Sequence, residues 1–284
     1  MVNAQNMKKT TFLSTVLILL CGTFACHHRT VTSDPRIRAI DSLRQAGFEV
    51  VDLHAHLKGG LTMEQLLEHS RKTGIRYGVA INCGIGFPVH NDSSLRAYYN
   101  QVKDYPVYHA VQGEGREWTS LVSKETLSLF DYAFTDAMTY TDARGRRMRL
   151  WMPGEVFVDD PQEFMDYLVG KIEEILSSEP IRIYVNPTYL PEVIRDRYDE
   201  LWTPERMDRV INALVKNRVA LEINCANNIP SATFIKRAKA AGVKFTLGTN
   251  NSGAGLGYLE YGVKMIRECD LNPSDFWIPE RTVR

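Results

Sequence analysis

Two histidines one residue apart, His54 and His56, close an apolar segment that reads Val50-Val51-Asp52-Leu53-His54-Ala55-His56-Leu57. In an extended chain alternate side chains share a face. Both imidazoles therefore point one way, and Leu53, Ala55 and Leu57 the other. Two neutral imidazoles a strand spacing apart can grip one divalent ion. An ion so held lowers the pKa of its water and supplies a hydroxide nucleophile near neutral pH.

The pair must be positioned by something, and the rest of the chain supplies a regular series. Strand-like apolar runs occur at 50–53, 77–81, 107–111, 132–135, 181–185, 219–223 and 243–247. Helical patterns follow them, clearest at 62–72, 94–102, 161–176, 204–216, 231–240 and 258–269. Thr203-Pro204 opens one helix, and Gly74 and Gly242 end others, as capping chemistry requires. Strands apolar on both faces and separated by helices pair in parallel through right-handed crossovers. Seven such units fit a closed barrel. The expectation is an α/β fold, a distorted TIM-like barrel of parallel strands with outer helices, spanning 49–284 after a linker and first helix at 27–48. Residues 139–160, with Arg144, Arg146, Arg147 and Arg149, read as a loop over the mouth.

A barrel of this kind works at the carboxyl ends of its strands. Those ends collect His54 and His56, then Asn82 and Cys83, then Glu114, Arg116 and Glu117. Asp136 and Asn186 follow, then Glu222, Asn224 and Cys225, and finally Thr249, Asn250 and Asn251. His90, in the 84–93 loop, is a further pocket candidate, whereas His109 lies inside a strand and reads as structural. Cys83, Cys225 and Cys269 are widely spaced and odd in number, which is no disulfide framework.

Lys plus Arg equals Asp plus Glu at 34 each, so no global charge argues for nucleic acid or an acidic membrane surface. The N-terminus reads as an export signal: Lys8-Lys9, an apolar run at 11–21 too short to span a bilayer comfortably, then small residues. Thr23-Phe24-Ala25-Cys26 resembles a bacterial lipobox, with Cys26 the lipidated residue and residues 1–26 the signal. The implied location is the periplasm or cell surface of a bacterium, with a lipid anchor as the sole membrane contact.

Four motifs in order resemble the PHP family, the polymerase and histidinol phosphatase domain, over most of the chain after Val50. Its Asp-x-His-x-His is met by Asp52-Leu53-His54-Ala55-His56, and its Gly-x-Glu by Gly115-Arg116-Glu117. Its Leu-Glu-Ile-Asn segment is met by Leu221-Glu222-Ile223-Asn224, and its closing Gly-Ser-Asp-Ala-His by Gly248-Thr249-Asn250-Asn251-Ser252. Elsewhere the chain departs: Ile81-Asn82-Cys83 stands for Thr-Asp-His, Asp136 and Met138 for a histidine, Asn186-Pro187 for His-Pro, and Asn250 and Ser252 for Asp and His. Neutral amides do not supply the charge that a metal cluster needs.

The resemblance thus implies an exported metal-dependent hydrolase with a reduced site, a phosphoesterase acting on a small phosphorylated substrate. One divalent ion (zinc, manganese or iron) would sit on His54, His56 and a carboxylate, Glu117 in the family's pattern, with Glu114 and Asp136 as the other choices. Asp136 and Arg116 are the catalytic candidates, and Arg116 with the arginines of 144–149 offers guanidinium forks for phosphate. Asn82, Cys83, His90, Glu114, Asn186, Glu222, Asn224 and Asn250 are the expected pocket lining. Two alternatives stand beside this: a non-catalytic PHP-like binding lipoprotein, and an amidohydrolase-type enzyme, which shares the His-x-His but expects further histidines not seen here.

Overall fold

A computed structural model describes residues 34–280; the signal-like segment and Cys26 lie outside the described residues. Helix α1 (Pro35–Gln45) precedes β1 (Val51–Ala55), α2 (Met63–Thr73), β2 (Arg76–Cys83), α3 (Asp92–Val102) and β3 (Tyr108–Gly113). Two single-turn helices, α4 (Trp118–Leu121) and α5 (Lys124–Leu127), lead into β4 (Tyr132–Thr135) and a hairpin of β5 (Thr139–Thr141) and β6 (Arg147–Arg149). Then come α6 (Pro161–Ser178), β7 (Ile183–Tyr184), α7 (Tyr198–Leu201), α8 (Pro204–Asn217), β8 (Ala220–Asn224), α9 (Ala232–Ala240), β9 (Phe245–Gly248) and α10 (Glu260–Glu268).

Seven strands close a parallel barrel in the order β1-β2-β3-β4-β7-β8-β9, wrapped by the helices. All seven strand runs read from the sequence are members of it. Residues 139–160 differ from expectation, because β5 and β6 pair antiparallel there, Tyr140 opposite Met148. Helix boundaries follow local chemistry. Thr62 and Gln65 form a reciprocal capping box on α2, and Gly74 ends it in the left-handed conformation at φ 72°. Among the described residues no helix is long and apolar enough to cross a membrane.

Alternation within the strands separates two cores. Tyr108 and Ala110 of β3, Tyr132 and Phe134 of β4, and Ile183 and Val185 around β7 fill the barrel with Val51 and Leu53. The opposite faces, such as Val111, Ala133, Leu221 and Ile223, pack under the helices. At the amino ends of the strands, Trp277 hydrogen-bonds its N–H to the Phe245 carbonyl at 2.9 Å and sets its ring edge-on to Tyr132. This closes the bottom and leaves the carboxyl ends as the working face.

Strand β1 breaks the simple alternation. Its register to β2 steps from Asp52 opposite Tyr77 to Ala55 opposite Val79, one residue more on β1 than on its partner. This β-bulge moves the inward-facing set from odd to even positions. Leu53 therefore faces the barrel interior, not the outside as strict alternation requires, and His54 follows it inward against Phe134. Asp52 builds the bulge: its buried carboxylate accepts from the His54 N–H at 3.0 Å, the Thr249 N–H at 3.1 Å and the Thr249 hydroxyl at 2.5 Å.

Candidate active site

His54 and His56 share the inner face at the mouth, ring centroids 5.2 Å apart, and both are buried. Each is oriented through Nδ1. His54 Nδ1 donates to Glu222 Oε1 at 2.6 Å, and His56 Nδ1 donates to the Ala80 carbonyl at 3.0 Å. Gly248 makes the first bond possible, since a Cβ there would collide with Glu222 Oε1 and lie 2.8 Å from the His54 Cβ. Burial works against a charged His54, but the carboxylates of Glu222, Asp52 and Asp136 together outweigh it and raise the pKa. Burial, then the positive charges of His54 and Lys58, hold His56 well below the usual histidine range. His56 is thus a neutral imidazole with its lone pair on Nε2. That Nε2 is buried and meets no partner at hydrogen-bonding geometry, Gln112 being the side chain that faces it. His54 Nε2 faces Gln112 Oε1 at 3.3 Å.

Around the pair runs a layer of amides and carboxylates. Asn82 donates to Glu114 Oε1 at 2.5 Å. Asn186 donates its side-chain amide to Asp136 Oδ2 and its backbone N–H to Glu222 Oε2, both at 2.7 Å. Its Oδ1 accepts from Asn224 at 2.9 Å and from Asn250 at 3.1 Å. Asn186, at φ 46°, therefore ties Asp136 on one side of the mouth to the Glu222–His54 pair on the other.

Several expected residues fall elsewhere. Glu117 is not beside the histidines: β3 ends at Gly113, Gly115 turns the chain at φ 71°, and Glu117 reaches Arg147 at 2.5 Å with 39% of its side chain exposed. Arg116 turns away from the mouth to bind Glu179. Cys83 lies under the helices, its thiol pushed up to about 11 by burial and Asp92. His90 is exposed and bonded within its own loop to the Phe87 carbonyl. The hairpin arginines are already paired: Arg144 and Arg146 with Asp159, Arg147 with Glu117, Arg149 with Glu155. Gln112 and Lys58 were missed. The parity of β3 would have found Gln112, which continues the inward series Tyr108, Ala110. Nothing in the sequence marks Lys58.

Burial and the charge of Asp136 raise Glu114 from an ordinary 4.5 to about 7, against the Asn82 hydrogen bond and the charges of Lys58 and His54. Burial likewise raises Asp136 despite donors from Met138 and Asn186. A folded-state value above the unfolded one means that protonated Glu114 stabilises the fold. That contribution is complete below about pH 4.5 and is lost as pH rises through 7. In chelator, wild type should lose on the order of 2 kcal/mol between pH 5 and 8 that Glu114→Gln does not lose. Denaturant melts at both pH values read this directly, and parallel stability curves would remove the argument.

A half-buried Glu114 and a buried Asp136, facing two imidazoles fixed through Nδ1, form a donor set suited to a cation once His54 gives up its Nε2 proton. The unpartnered His56 Nε2 fits the same role. The fit covers two ligands: among the described residues no three His, Cys, Asp or Glu side chains converge closely enough to hold a metal ion. A third ligand from Glu114 or Asp136 requires a side-chain shift on binding.

No protein-family model and no curated protein matches the chain. Among solved structures, a histidinol phosphate phosphatase from Lactococcus lactis, determined with zinc, L-histidinol and phosphate, superposes with a TM-score of 0.56 and 13% identity, covering 78% of this chain and 94% of that one. An HpcH/HpaI aldolase from Desulfitobacterium hafniense covers 80% and 96% at 16% identity, but its TM-score of 0.36 is too loose to bear on the fold. At 13% identity the first likeness establishes a shared barrel architecture.

Proposed function

We propose that the chain is an exported, metal-assisted hydrolase of PHP type acting on a small phosphorylated substrate, with His54 and His56 holding one divalent ion. The observation that carries this reading is the unpartnered, buried Nε2 of His56 beside a His54 braced by Glu222. Carboxylate- or carbonyl-braced imidazoles are the usual form of metal-ligating histidine. The likeness to a zinc-bound histidinol phosphate phosphatase supports it further.

When bound, such an ion supplies Lewis-acid activation of water and of a phosphoryl oxygen. The chain's own groups do the rest. Glu114, near neutrality in its pKa, holds or releases a proton at the leaving oxygen. Asn186 keeps Asp136 and Glu222 in place. Lys58, whose charge acts on both Glu114 and His56, meets the phosphoryl charge that the hairpin arginines, already paired, do not.

Elemental analysis of protein purified without chelator, with a phosphoesterase panel run in manganese, zinc and iron, tests the proposal. One equivalent of metal and turnover lost in His56→Ala are expected. No bound metal and no turnover in wild type would leave the binding-lipoprotein alternative.

Export belongs to the same proposal and rests on Lys8-Lys9, the apolar run and Cys26. Mass spectrometry of the native protein should find an acylated N-terminus at Cys26. An intact Met1 or Met7 in the cytosol would contradict it.

A further inference from the structure

Beside the amide layer, at the ends of β7 and β8, lies a cavity of about 400 Å³. Its wall hangs on the residues that build the site. Thr188 lies two positions past Asn186, and the Asn227 N–H is held by Asn224 Oδ1 at 2.8 Å. Tyr189, Tyr198 and Tyr261 line it, and two of these rings are locked through their hydroxyls. Tyr198 donates to Thr188 Oγ1 at 2.7 Å and accepts from the Ser231 N–H at 3.2 Å, while Tyr261 donates to the Pro230 carbonyl at 2.7 Å. The cavity is therefore preformed, and its volume falls in the range that takes a small organic ligand.

Backbone conformation points the same way. Thr188 sits at φ 60° and Asn228 at φ 54°. For a β-branched residue the left-handed region is an outlier, and such strain collects at ligand sites. Two cations border the tyrosines. Arg195 is exposed, lies 5.8 Å from the Tyr189 ring centroid and forms no ion pair among the described residues. Lys264 reaches Glu268, the one carboxylate in the cavity lining among the described residues, only at 4.0 Å and so keeps charge to spare for a ligand.

Building on the hydrolase reading, we infer that this cavity is the subsite for the non-reacting part of the substrate, a ring bearing one negatively charged group. The ring face lies on the tyrosines, as aromatic and sugar rings both do, and the charge is met by Arg195 and Lys264. An aryl acid and a sugar acid share this chemistry.

The test uses unreactive probes in chelator, so that phosphate and metal play no part. Calorimetric titration with benzoate and with glucuronate should show binding of at least one, and the tighter of the two names the ring. Benzyl alcohol or glucose, the neutral counterparts, should bind at least tenfold more weakly, as should the same acid to Arg195→Ala/Lys264→Ala, whose substitutions are both on the surface. His56→Ala should bind it within twofold of wild type while losing hydrolysis. Failure of the hydrolase reading thus appears as absent turnover with binding intact. No binding of either acid to wild type, equal binding to the double variant, or loss of binding in His56→Ala would each overturn the subsite.

Discussion

His56→Ala is expected to lower divalent-metal affinity and hydrolytic turnover at least 100-fold. His56 contributes one of two imidazole nitrogens, and among the described residues no third ligand stands ready to replace it. Removing an outer partner of a ligating histidine typically costs about 10–100-fold, and removing the ligand itself should cost no less. Glu222→Gln provides that graded comparison. It keeps the shape wedged against Gly248 but withdraws the charge that orients His54, so affinity should fall about 10–100-fold. His56→Ala also strands the Ala80 carbonyl, at a cost of about 1–3 kcal/mol. His56→Asn, whose amide nitrogen stands where Nδ1 does and can donate to that carbonyl, separates the two effects: stability returns and metal affinity does not. Zinc and manganese affinities within twofold of wild type in both variants would mean that the imidazole pair is not the metal site.

The barrel was legible because its signal is repeated. Seven apolar runs separated by amphipathic helices admit few other arrangements, and all seven runs are barrel strands. The meeting of Asn186, Glu222, Asn224 and Asn250 at the mouth was legible for the same reason, since they stand where strands end. What the sequence hid is parity. A one-residue bulge at Leu53–His54 leaves no compositional mark, yet it decides which residues face inward. The Gly-x-Glu spacing pointed to Glu117, but spacing does not say where β3 stops. Because the strand ends at Gly113, Glu114 meets Asn82 and Glu117 falls on the rim. The arginines of 144–149 looked free because their partners, Asp159 and Glu155 among them, are brought to them only by the β5–β6 hairpin.

Arg116 is where these two kinds of reading give opposite experimental outcomes. Read as a phosphate clamp, Arg116→Ala should raise KM and leave stability alone. Its position predicts the reverse. Nη1 donates to Glu179 Oε1 at 2.7 Å, and Nη2 donates to the Thr135 hydroxyl and the Asp136 carbonyl, both at 2.9 Å. Glu179 is 7% exposed, and burial raises its pKa even with Arg116 and the Trp118 indole against it. Without the guanidinium a buried carboxylate loses its countercharge, at a cost of about 3–5 kcal/mol. Arg116→Lys should recover only part, because one ammonium does not reproduce a planar fork that spans three acceptors. Arg116→Ala/Glu179→Gln should be more stable than Arg116→Ala alone, since the stranded charge is gone, and this double-mutant cycle isolates the pair. Denaturant unfolding measures each step, and KM for any substrate turned over should stay within twofold. A loss of stability below about 1 kcal/mol together with a tenfold rise in KM would return Arg116 to the substrate.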